Sequence, residues 1–295
     1  MKTDVVPGAE RKPRDDELDV YGLTHTGNVR AENQDHFLLA SIHKRVEVVQ
    51  TSLSDLQRLP LGSERLAFLA MIADGVGGGE GGEEASSTAL EIAMQYVAQS
   101  MNCYYSNAYS NAFAEKTFID ALQDAAMRSH EAVRVRAEQA KISGTMATTL
   151  TLFLAVWPWY YILQVGDSRY YLWRDGRLEQ LTRDQTIAQD LVDQGVLTRA
   201  SAGRSPLGNV LSSAIGGEQT APVVTRLQAD WRNVHLMCSD GLTKHVSDER
   251  IAERLASMVS AEQVSKQLLQ DALDGGGSDN ITIIVGRAMP NDGAA

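Results

Sequence analysis

Aspartates recur in this chain where apolar segments give way to turns, and their type and placement favour the binding of a hard divalent cation. Carboxylate, carbonyl and water oxygens are the ligands that such cations prefer. Carboxylates brought together without matching lysines or arginines repel one another strongly unless a cation lies among them. The segments are far apart in the sequence, so they act together only if the fold gathers them. They are Arg30–Asp35, Ala73–Gly79, Gly166–Arg169, Ser239–Gly241 and Ser278–Asn280.

The glycine-rich segment Ala73–Gly79 follows Leu66–Ile72, an almost wholly apolar run that is typical of a central strand. Glycine permits backbone angles that turn carbonyl oxygens towards a cation. The segment is not a Walker A loop, because the Lys-Ser/Thr pair is missing, and it is not a dinucleotide-binding fingerprint, because no βαβ unit surrounds it. Taken alone, it is equally consistent with a plain tight turn.

Two further aspartates lie at predicted strand ends. Asp240 follows the apolar run 234–238, and Asp279 follows a glycine run and precedes the last predicted strand. Taken singly, each is more typical of a turn than of a metal ligand. Three such aspartates, counting Asp74, favour a shared site. Arg30 can hold a phosphate group bidentately beside that site, or form a surface salt bridge with Glu32.

Composition and charge exclude several classes of protein. The net charge of -11 argues against nucleic acid or anionic membranes as main partners, because both require a basic surface. The two cysteines, Cys103 and Cys238, do not form a disulfide framework, which fits a reducing compartment. No apolar run reaches the roughly 18–20 residues of a membrane span, and residues 1–16 lack an apolar signal core. A cytoplasmic location is therefore expected.

The elements that must position these residues are predicted in the order β-β-β, α-α, several short strands, a small helical segment, β-β, α-α and β. Regular β-α alternation is missing from this order, so an α+β fold with antiparallel sheets and outer helix pairs is expected rather than a doubly wound sheet. We expect a disordered tail over 1–17, one domain over 18–287 and a loose tail over 288–295. Residues 43–65 are interpreted as an extended hairpin or an insertion.

The motifs and their order resemble the metal-dependent protein phosphatases, the protein phosphatase 2C family, and in particular its bacterial branch. The resemblance covers about residues 18–287. It implies a single catalytic domain, a β-sandwich of two antiparallel sheets flanked by pairs of antiparallel helices in α-β-β-α layers, with a flap subdomain at about 184–220. The matching motifs are Arg30–Asp35, Ala73–Gly78, Gly144–Thr148, Gly166–Arg169, Leu181–Asp184, Ser239–Leu242 and Asp279–Thr282.

The resemblance implies a core site for two Mg²⁺ or Mn²⁺ ions. In it, Asp74 bridges both ions and the Gly75 carbonyl binds one of them. Asp240 and Asp279 bind the other ion. Asp35 supports the cluster, partly through water. These four aspartates are catalytic residues by the same resemblance.

Arg30 is the fifth implied catalytic residue, because the resemblance implies that it binds the substrate phosphate. Asp167, together with Asp240, is implied to hold a weaker third metal ion. Asn280 is expected to orient Asp279 or a bound water. Packing beneath the site is the expected role of Gly144, Thr145 and Thr148.

The implied activity is hydrolysis of phosphoserine and phosphothreonine in a phosphorylated protein, the product of a bacterial serine/threonine kinase. A metal-bridging water attacks phosphorus directly, and no covalent phosphoenzyme is expected. Two positions depart from the animal members of the family. Gln34 stands where many have Glu, and Val76 stands where they have a His that is proposed as the proton donor. A metal-bound water is the implied substitute for that donor.

Basic side chains at the margins of the site are further candidates for contact with substrate. Arg199 and Arg204 lie in the Ser/Gly/Arg-rich part of the flap and can contact a phosphopeptide, with plain solvent exposure as the alternative. Lys244 and His245 follow the Ser-Asp-Gly motif and can line the rim.

Two other classes of function are weighed against the enzyme. A catalytically silent module of the same fold would bind phosphoprotein without turnover. Loss of Asp74, Asp240 or Asp279 would indicate such a module, and all three are present. A calcium-binding structural protein is disfavoured, because the Asp-x-Asp-x-Asp-Gly spacing of an EF-hand is missing.

Overall fold

Two antiparallel sheets packed face to face form the centre of the molecule, with helices on their outer sides. The structure, a computed structural model, describes residues 11–48, 50, 62–77, 80–104, 111–141, 145–203 and 205–290. The first sheet has the strand order β1-β11-β10-β7-β8. Its strands are β1 (Leu18–His25), β7 (Arg169–Arg174), β8 (Arg177–Gln180), β10 (Val234–Cys238) and β11 (Ile281–Ala288).

The second sheet has the order β2-β3-β5-β6-β9, with β4 paired to the end of β3. Its strands are β2 (Asp35–Val46), β3 (Gly62–Val76), β4 (Ala147–Thr148), β5 (Leu150–Val156), β6 (Trp159–Val165) and β9 (Val223–Gln228). The helices are α1 (Glu80–Tyr104), α2 (Asn111–Ala140), α3 (Ile187–Asp193), α4 (Arg199–Ala202), α5 (Asp240–Thr243), α6 (Asp248–Ala256) and α7 (Ala261–Asp274). None of the described helices is both long enough and apolar enough to cross a membrane.

Alternate residues of β3 pack against the helices on one side and against the other sheet on the other side. Leu69 and Met71 pack in the core shared with α1 and α2. Ala70 and Ile72 pack in the core between the sheets, which also contains Tyr170 from β7. Successive strand residues point to opposite faces, so a strand buried on both faces needs a continuous apolar run. The expected α-β-β-α sandwich is confirmed, and β3 is the central strand that the sequence predicts.

A third core lies between the first sheet and the helices α6 and α7. The start of α7 is fixed by Asp19 of β1, whose carboxylate accepts hydrogen bonds from the Ala261 backbone at 3.0 Å and from Arg287 Nε at 3.0 Å. An acidic side chain at a helix N-terminus is favourable, because it satisfies free backbone N–H groups there. The helix pair is thereby attached to both strands at the edge of the sheet.

The N-terminal segment before β1 departs from the sequence prediction. Residues 1–10 of the expected tail lie outside the described residues, but the prediction of disorder is wrong for residues 11–17. Glu17 is buried and accepts two hydrogen bonds from the Arg11 guanidinium, at 2.7 and 2.5 Å. The Arg11 carbonyl accepts a hydrogen bond from Trp231 Nε1 at 3.0 Å. These contacts fasten the segment to the end of the sandwich that lies away from the aspartates.

Residues 43–65 are interpreted from the sequence as an extended hairpin or an insertion, and the described part of this segment forms a hairpin. Strand β2 continues to Val46 and β3 starts at Gly62, and the two remain paired to that point, with a register shift between Ile42 and His43. Residues 49 and 51–61 lie outside the described residues. At the other end of the chain, the predicted loose tail covers 288–295. Ala288 is the last residue of β11, the Met289 backbone donates to the Glu17 carbonyl at 2.8 Å, and residues 291–295 lie outside the described residues.

An ion-pair cluster between α6 and α7 leads to a first prediction. Asp271 accepts hydrogen bonds from Arg254 Nε and Nη2, both at 2.7 Å, and from Arg250 Nε at 3.0 Å. Hydrogen bonds from Arg254, supported by Arg250, lower the pKa of Asp271 from 3.8 to about 2. Asp271→Asn is therefore expected to lower the free energy of unfolding by about 1–2 kcal/mol at neutral pH.

The pH dependence of this loss follows from the sign of the shift. Because the folded pKa lies below the unfolded value, the Asp271 contribution is complete above about pH 4 and is lost as the pH falls towards about 2. Urea denaturation of wild type and Asp271→Asn at pH 7, 4 and 3 measures it. A difference that stays constant over this range, or that is missing at pH 7, contradicts the assignment.

Candidate metal and phosphate site

Asp35 and Asp74 face each other at one end of the second sheet. Asp35 is the first residue of β2, and the strand register pairs it directly with Asp74 near the end of β3. Side chains at directly opposed positions of antiparallel strands lie close together, and like charges there are destabilising. The strand pairing thus brings together two carboxylates that are 39 positions apart in the sequence.

The other sheet holds the Asp35 side chain. Ser239 Oγ, after β10, donates to Asp35 Oδ2 at 2.8 Å, and Thr282 Oγ1 in β11 donates to the same oxygen at 2.7 Å. The second oxygen, Asp35 Oδ1, is buried and has no hydrogen-bond partner within the described part of the chain. A buried polar atom without a partner is costly. Asp35 Oδ1 therefore fits a contact with an ion or an ordered water.

The backbone around Asp74 is tied to the strand beside it. Thr148 Oγ1 and the Thr149 backbone both donate to the Asp74 carbonyl at 2.9 Å, and the Asp74 backbone donates to Thr149 Oγ1 at 3.0 Å. Gly75 follows in a confined position, where an added Cβ would lie 2.3 Å from the Gly82 carbonyl oxygen. Only glycine fits there, because the backbone at this position passes close to α1 and to the Gln34 carbonyl.

Asp240 and Asp279 come from the first sheet, and cations from two loops meet them. Asp240 begins α5 directly after β10, and Asp279 precedes β11. Lys244 Nζ lies 2.6 Å from Asp240 Oδ2 and 2.7 Å from Asp279 Oδ2. Arg30 Nε lies 2.7 Å from Asp279 Oδ1, and Arg30 Nη2 donates to Asp279 Oδ2 at 3.0 Å. Arg30 thus faces the aspartate cluster rather than Glu32.

Asp167 lies in the turn between β6 and β7 and completes the cluster. Gly166 before it has φ +102, and a Cβ there would lie 2.6 Å from the Thr149 side chain. Gln185 Oε1 accepts from the Gly166 backbone at 2.8 Å, so the segment between β8 and α3 holds this turn. Repulsion from Asp167 contributes to the pKa of Asp74, which places the two carboxylates in one electrostatic unit.

The electrostatics of the cluster favour cation binding. Burial, followed by repulsion from the neighbouring aspartates, raises the pKa of Asp74 well above its ordinary value. Burial and the charges of Asp240 and Asp184 raise the pKa of Asp167 to about 8. Burial raises the pKa of Asp35 to about 6, although Thr282 and Ser239 act in the opposite direction. Carboxylates that resist ionisation for these reasons gain most from a nearby positive ion.

Asn280 positions the loop that carries Arg30. Its Nδ2 donates to the Thr26 carbonyl at 2.9 Å and to the Glu32 carbonyl at 2.8 Å, and its Oδ1 accepts from the Gln34 backbone at 2.9 Å. The Asn280 backbone donates to Asp279 Oδ1 at 3.0 Å. The expectation that Asn280 orients Asp279 thus holds for its backbone, whereas its side chain fixes the 26–34 loop.

Sequence family and structural neighbours agree with this geometry. The family model described as protein phosphatase 2C matches residues 61–274. The chain belongs to the protein phosphatase 2C family.

Relatives in the family include the "Serine/threonine protein phosphatase PstP" of Mycobacterium tuberculosis, 38% identical over 170 residues, which are 57% of this chain and 33% of that protein. The "Serine/threonine phosphatase stp" of Listeria welshimeri is 33% identical over 141 residues, 48% of this chain and 56% of the relative. The chain therefore spans between a third and somewhat over half of the length of these relatives.

Solved structures of the family cover more of the chain. The crystal structure of the M. tuberculosis phosphatase PstP/Ppp has a TM-score of 0.72 at 28% identity, covering 92% of this chain and 99% of that one. The catalytic domain of PstP in complex with two manganese ions has a TM-score of 0.69 at 28% identity, with 92% and 99% covered.

The Leu-Thr-x-Asp motif of the family has a role that the sequence did not reveal. Asp184 binds the Arg169 guanidinium, with Nη2 to Oδ2 at 2.7 Å and Nε to Oδ1 at 3.0 Å. Arg169 also donates to the Tyr171 hydroxyl at 3.0 Å. This bidentate pair joins the segment after β8 to the start of β7, directly after the turn that carries Asp167. Two motifs that are 15 residues apart are thus one structural unit.

The margins of the site differ from the sequence expectations in detail. Lys244 contacts the aspartate cluster itself and is not confined to the rim. His245 Nε2 accepts from the Ser278 backbone at 2.9 Å, so this side chain holds the loop before Asp279. Arg199 lines the cleft that also contains Asp167 and Asp240, whereas Arg204 lies outside the described residues, as does Gly144.

The donor set fits a hard divalent cation by its chemistry, since it offers carboxylate oxygens and a backbone carbonyl. As the side chains stand, no group of three or more His, Cys, Asp or Glu in the described ranges converges closely enough to hold a metal ion. Nitrogen atoms of Lys244 and Arg30 contact oxygens of Asp240 and Asp279 that an ion would use. A metal ion that binds these carboxylates must therefore displace Lys244 or Arg30 from some of their oxygens.

Proposed function

We propose that this chain is a metal-dependent serine/threonine protein phosphatase. The observation that carries the proposal is the meeting of aspartates from the ends of both sheets, with the Arg30 guanidinium beside them. The names of the relatives PstP and stp support the reaction, and the two manganese ions of a PstP structure support the type of cofactor. We assign the activity to one domain over about residues 18–287, with residues 184–220 as its flap.

Two divalent ions, Mg²⁺ or Mn²⁺, are the proposed cofactors. Asp74, the Gly75 carbonyl, Asp240 and Asp279 would hold them, and the unpartnered Oδ1 of Asp35 would contact an ion or its water. When bound, such ions lower the pKa of a shared water and offset charge on the transferring phosphoryl group. The Asp35 side chain keeps its place through Ser239 and Thr282, which link both sheets beneath the site.

Arg30 is the proposed phosphate-binding residue. Its guanidinium already holds one carboxylate through two nitrogens, Nε and Nη2, and a phosphate presents the same spacing of oxygens. The loop that carries it is fixed by Asn280. Arg30 can therefore orient the phosphoryl group and stabilise its charge during the reaction.

A cysteine-based mechanism is disfavoured by the state of Cys238. This thiol is next to Ser239 in the sequence, but it is fully buried, and burial raises its pKa to about 12. A thiol with so high a pKa contributes almost no thiolate at neutral pH, and thiolate is the reactive form. Direct attack of water on phosphorus is the proposed route, with no covalent phosphoenzyme.

The proposed substrates are phosphoserine and phosphothreonine residues of proteins modified by a serine/threonine kinase, in the cytoplasm. The competing function is a silent module that binds phosphoprotein without turnover. No contact among the described residues favours that module, and every aspartate expected as a ligand is present in the sequence. Phosphate release from a phosphothreonine peptide, with peptide binding measured in parallel, separates the two functions. We expect turnover with Mn²⁺ or Mg²⁺ and none in EDTA, whereas binding without turnover under all conditions refutes the phosphatase.

A further inference from the structure

Lys244 contacts the aspartate cluster, but the family resemblance implies no function for it. It follows α5, four positions after Asp240, so one helical turn brings its side chain back over that carboxylate. Its Nζ lies 2.6 Å from Asp240 Oδ2 and 2.7 Å from Asp279 Oδ2, and its side chain is 29% exposed. The ammonium group is therefore an inner member of the site.

Asp279 has no acceptor position left for a metal ion while its present contacts last. A carboxylate offers about four lone-pair positions. In Asp279, Oδ1 accepts from Arg30 Nε and from the Asn280 backbone, and Oδ2 accepts from Arg30 Nη2 and Lys244 Nζ. An ion that binds Asp279 must displace Arg30 or Lys244. Asp240, by contrast, can keep Lys244 on Oδ2 and offer Oδ1.

When a metal ion occupies Asp279, the charges around Asp167 favour a position of the Lys244 ammonium group between Asp167 and Asp240. Asp240 and Asp184 both act to raise the pKa of Asp167, and Lys244 acts to lower it. Asp184 is already paired with Arg169 at 2.7 Å. Asp167, Asp240 and Lys244 line the same cleft, and Lys244 is already paired with Asp240, so its ammonium group lies near both carboxylates that the resemblance gives to a third ion.

We propose that Lys244 supplies the positive charge between Asp167 and Asp240, in place of a third metal ion. The proposal rests on the function proposed above and differs from the three-ion arrangement that the resemblance implies. An ammonium group occupies the position of a cation but cannot act as a metal ligand, and it repels a divalent ion at short range. The chain therefore holds two divalent ions at the aspartate cluster, and Asp167 binds none of them.

Charge balance agrees with two ions. Five aspartates of the cluster face the two side-chain cations Arg30 and Lys244, and two divalent ions already bring the site slightly past neutrality. That small positive excess suits a dianionic phosphate. A third divalent ion beside Lys244 would place like charges together at short range, which is unfavourable.

The test is the number of Mn²⁺ ions bound per chain, measured by equilibrium dialysis with metal analysis and by titration calorimetry, without substrate. Wild type is expected to bind two. Lys244→Met keeps the length of the side chain and removes the charge, so it is expected to bind three. Adding Asp167→Asn to that variant is expected to return the number to two. Lys244→Arg, the matched control, is expected to remain at two.

A second variant keeps the proposal falsifiable if Lys244→Met does not fold. Asp167→Asn in the wild-type background is expected to leave the number of bound ions at two. A fall from three to two in that variant, or three ions in wild type, overturns the proposal. So does a folded Lys244→Met protein that binds two. Whatever the number of bound ions, turnover of phosphothreonine peptide by wild type supports the proposed function. Wild type that binds no Mn²⁺ refutes the proposed function rather than the role of Lys244.

Discussion

Asp240→Asn is expected to lower kcat for a phosphothreonine peptide by about 1,000-fold, measured with saturating Mn²⁺. The substitution keeps the size and one oxygen of the side chain but removes its charge from the centre of the cluster. Asp240 binds Lys244 and is a proposed metal ligand, so its loss is expected to weaken the cation site and to release Lys244. Electrostatic stabilisation of this kind contributes several kcal/mol to the transition state, and about 4 kcal/mol corresponds to a 1,000-fold change.

The matched control is Asp230→Asn. Asp230 is also paired with an arginine, Arg232 at 2.7 Å, but it lies in the turn before β10, at the other end of that strand from Asp240. Activity of this control is expected to equal that of wild type. A folded Asp240→Asn protein that retains kcat within about tenfold of wild type contradicts the assignment of Asp240.

Arg30→Ala is expected to lower kcat/KM by about 100-fold. Hydrogen bonds to charged groups contribute about 1.5–3 kcal/mol each, and the guanidinium can make two of them to a phosphate. Arg30→Lys keeps the charge but not the fork, so it is expected to recover only part of the loss. Steady-state kinetics over a range of peptide concentrations separates the effects on KM and kcat.

The control for this position is Arg232→Ala, which removes a guanidinium that is also paired with an aspartate, Asp230, but lies away from the cluster. Its kinetics are expected to match those of wild type. If Arg30→Ala and wild type have the same kcat/KM, Arg30 has no part in holding the phosphate, and its contact with Asp279 is structural.

The sequence predicted individual strands well where a continuous run of apolar residues marked them. The unbroken apolar run of β3 indicated a strand buried on both faces, and the structure places its alternate residues in two separate cores. The strand pairing could not be predicted from residue type alone. That Asp35 lies directly opposite Asp74 depends on the register of a hairpin whose connection carries no strong turn signal.

The N-terminal segment shows why a polar composition misled the prediction. Arg11 and Glu17 read as part of a charged tail, yet they bind each other, and Trp231 fixes the backbone of the same segment. Trp231 lies 220 positions further along the chain. Contacts at such separation leave no periodic signal in the sequence.

Within the site, the aspartates were found from the sequence and the groups that hold them were not. Ser239 and Thr282 were read only as parts of motifs, although both donate to Asp35. Lys244 is 35 positions from Asp279, so only the fold shows that it joins two carboxylates. One helical turn of spacing from Asp240 was the single local signal, and it carries weight only once α5 is known to be a helix.

The aspartates of the cluster are expected to act through the cations they hold. Measuring bound Mn²⁺ and phosphate release in the same samples of wild type tests this expectation. The metal is first removed with EDTA and then restored stepwise. We expect turnover to disappear with the metal, to return in proportion to metal occupancy, and to stay absent in Asp240→Asn at equal Mn²⁺. Full turnover by protein that metal analysis shows to be free of divalent ions would contradict it.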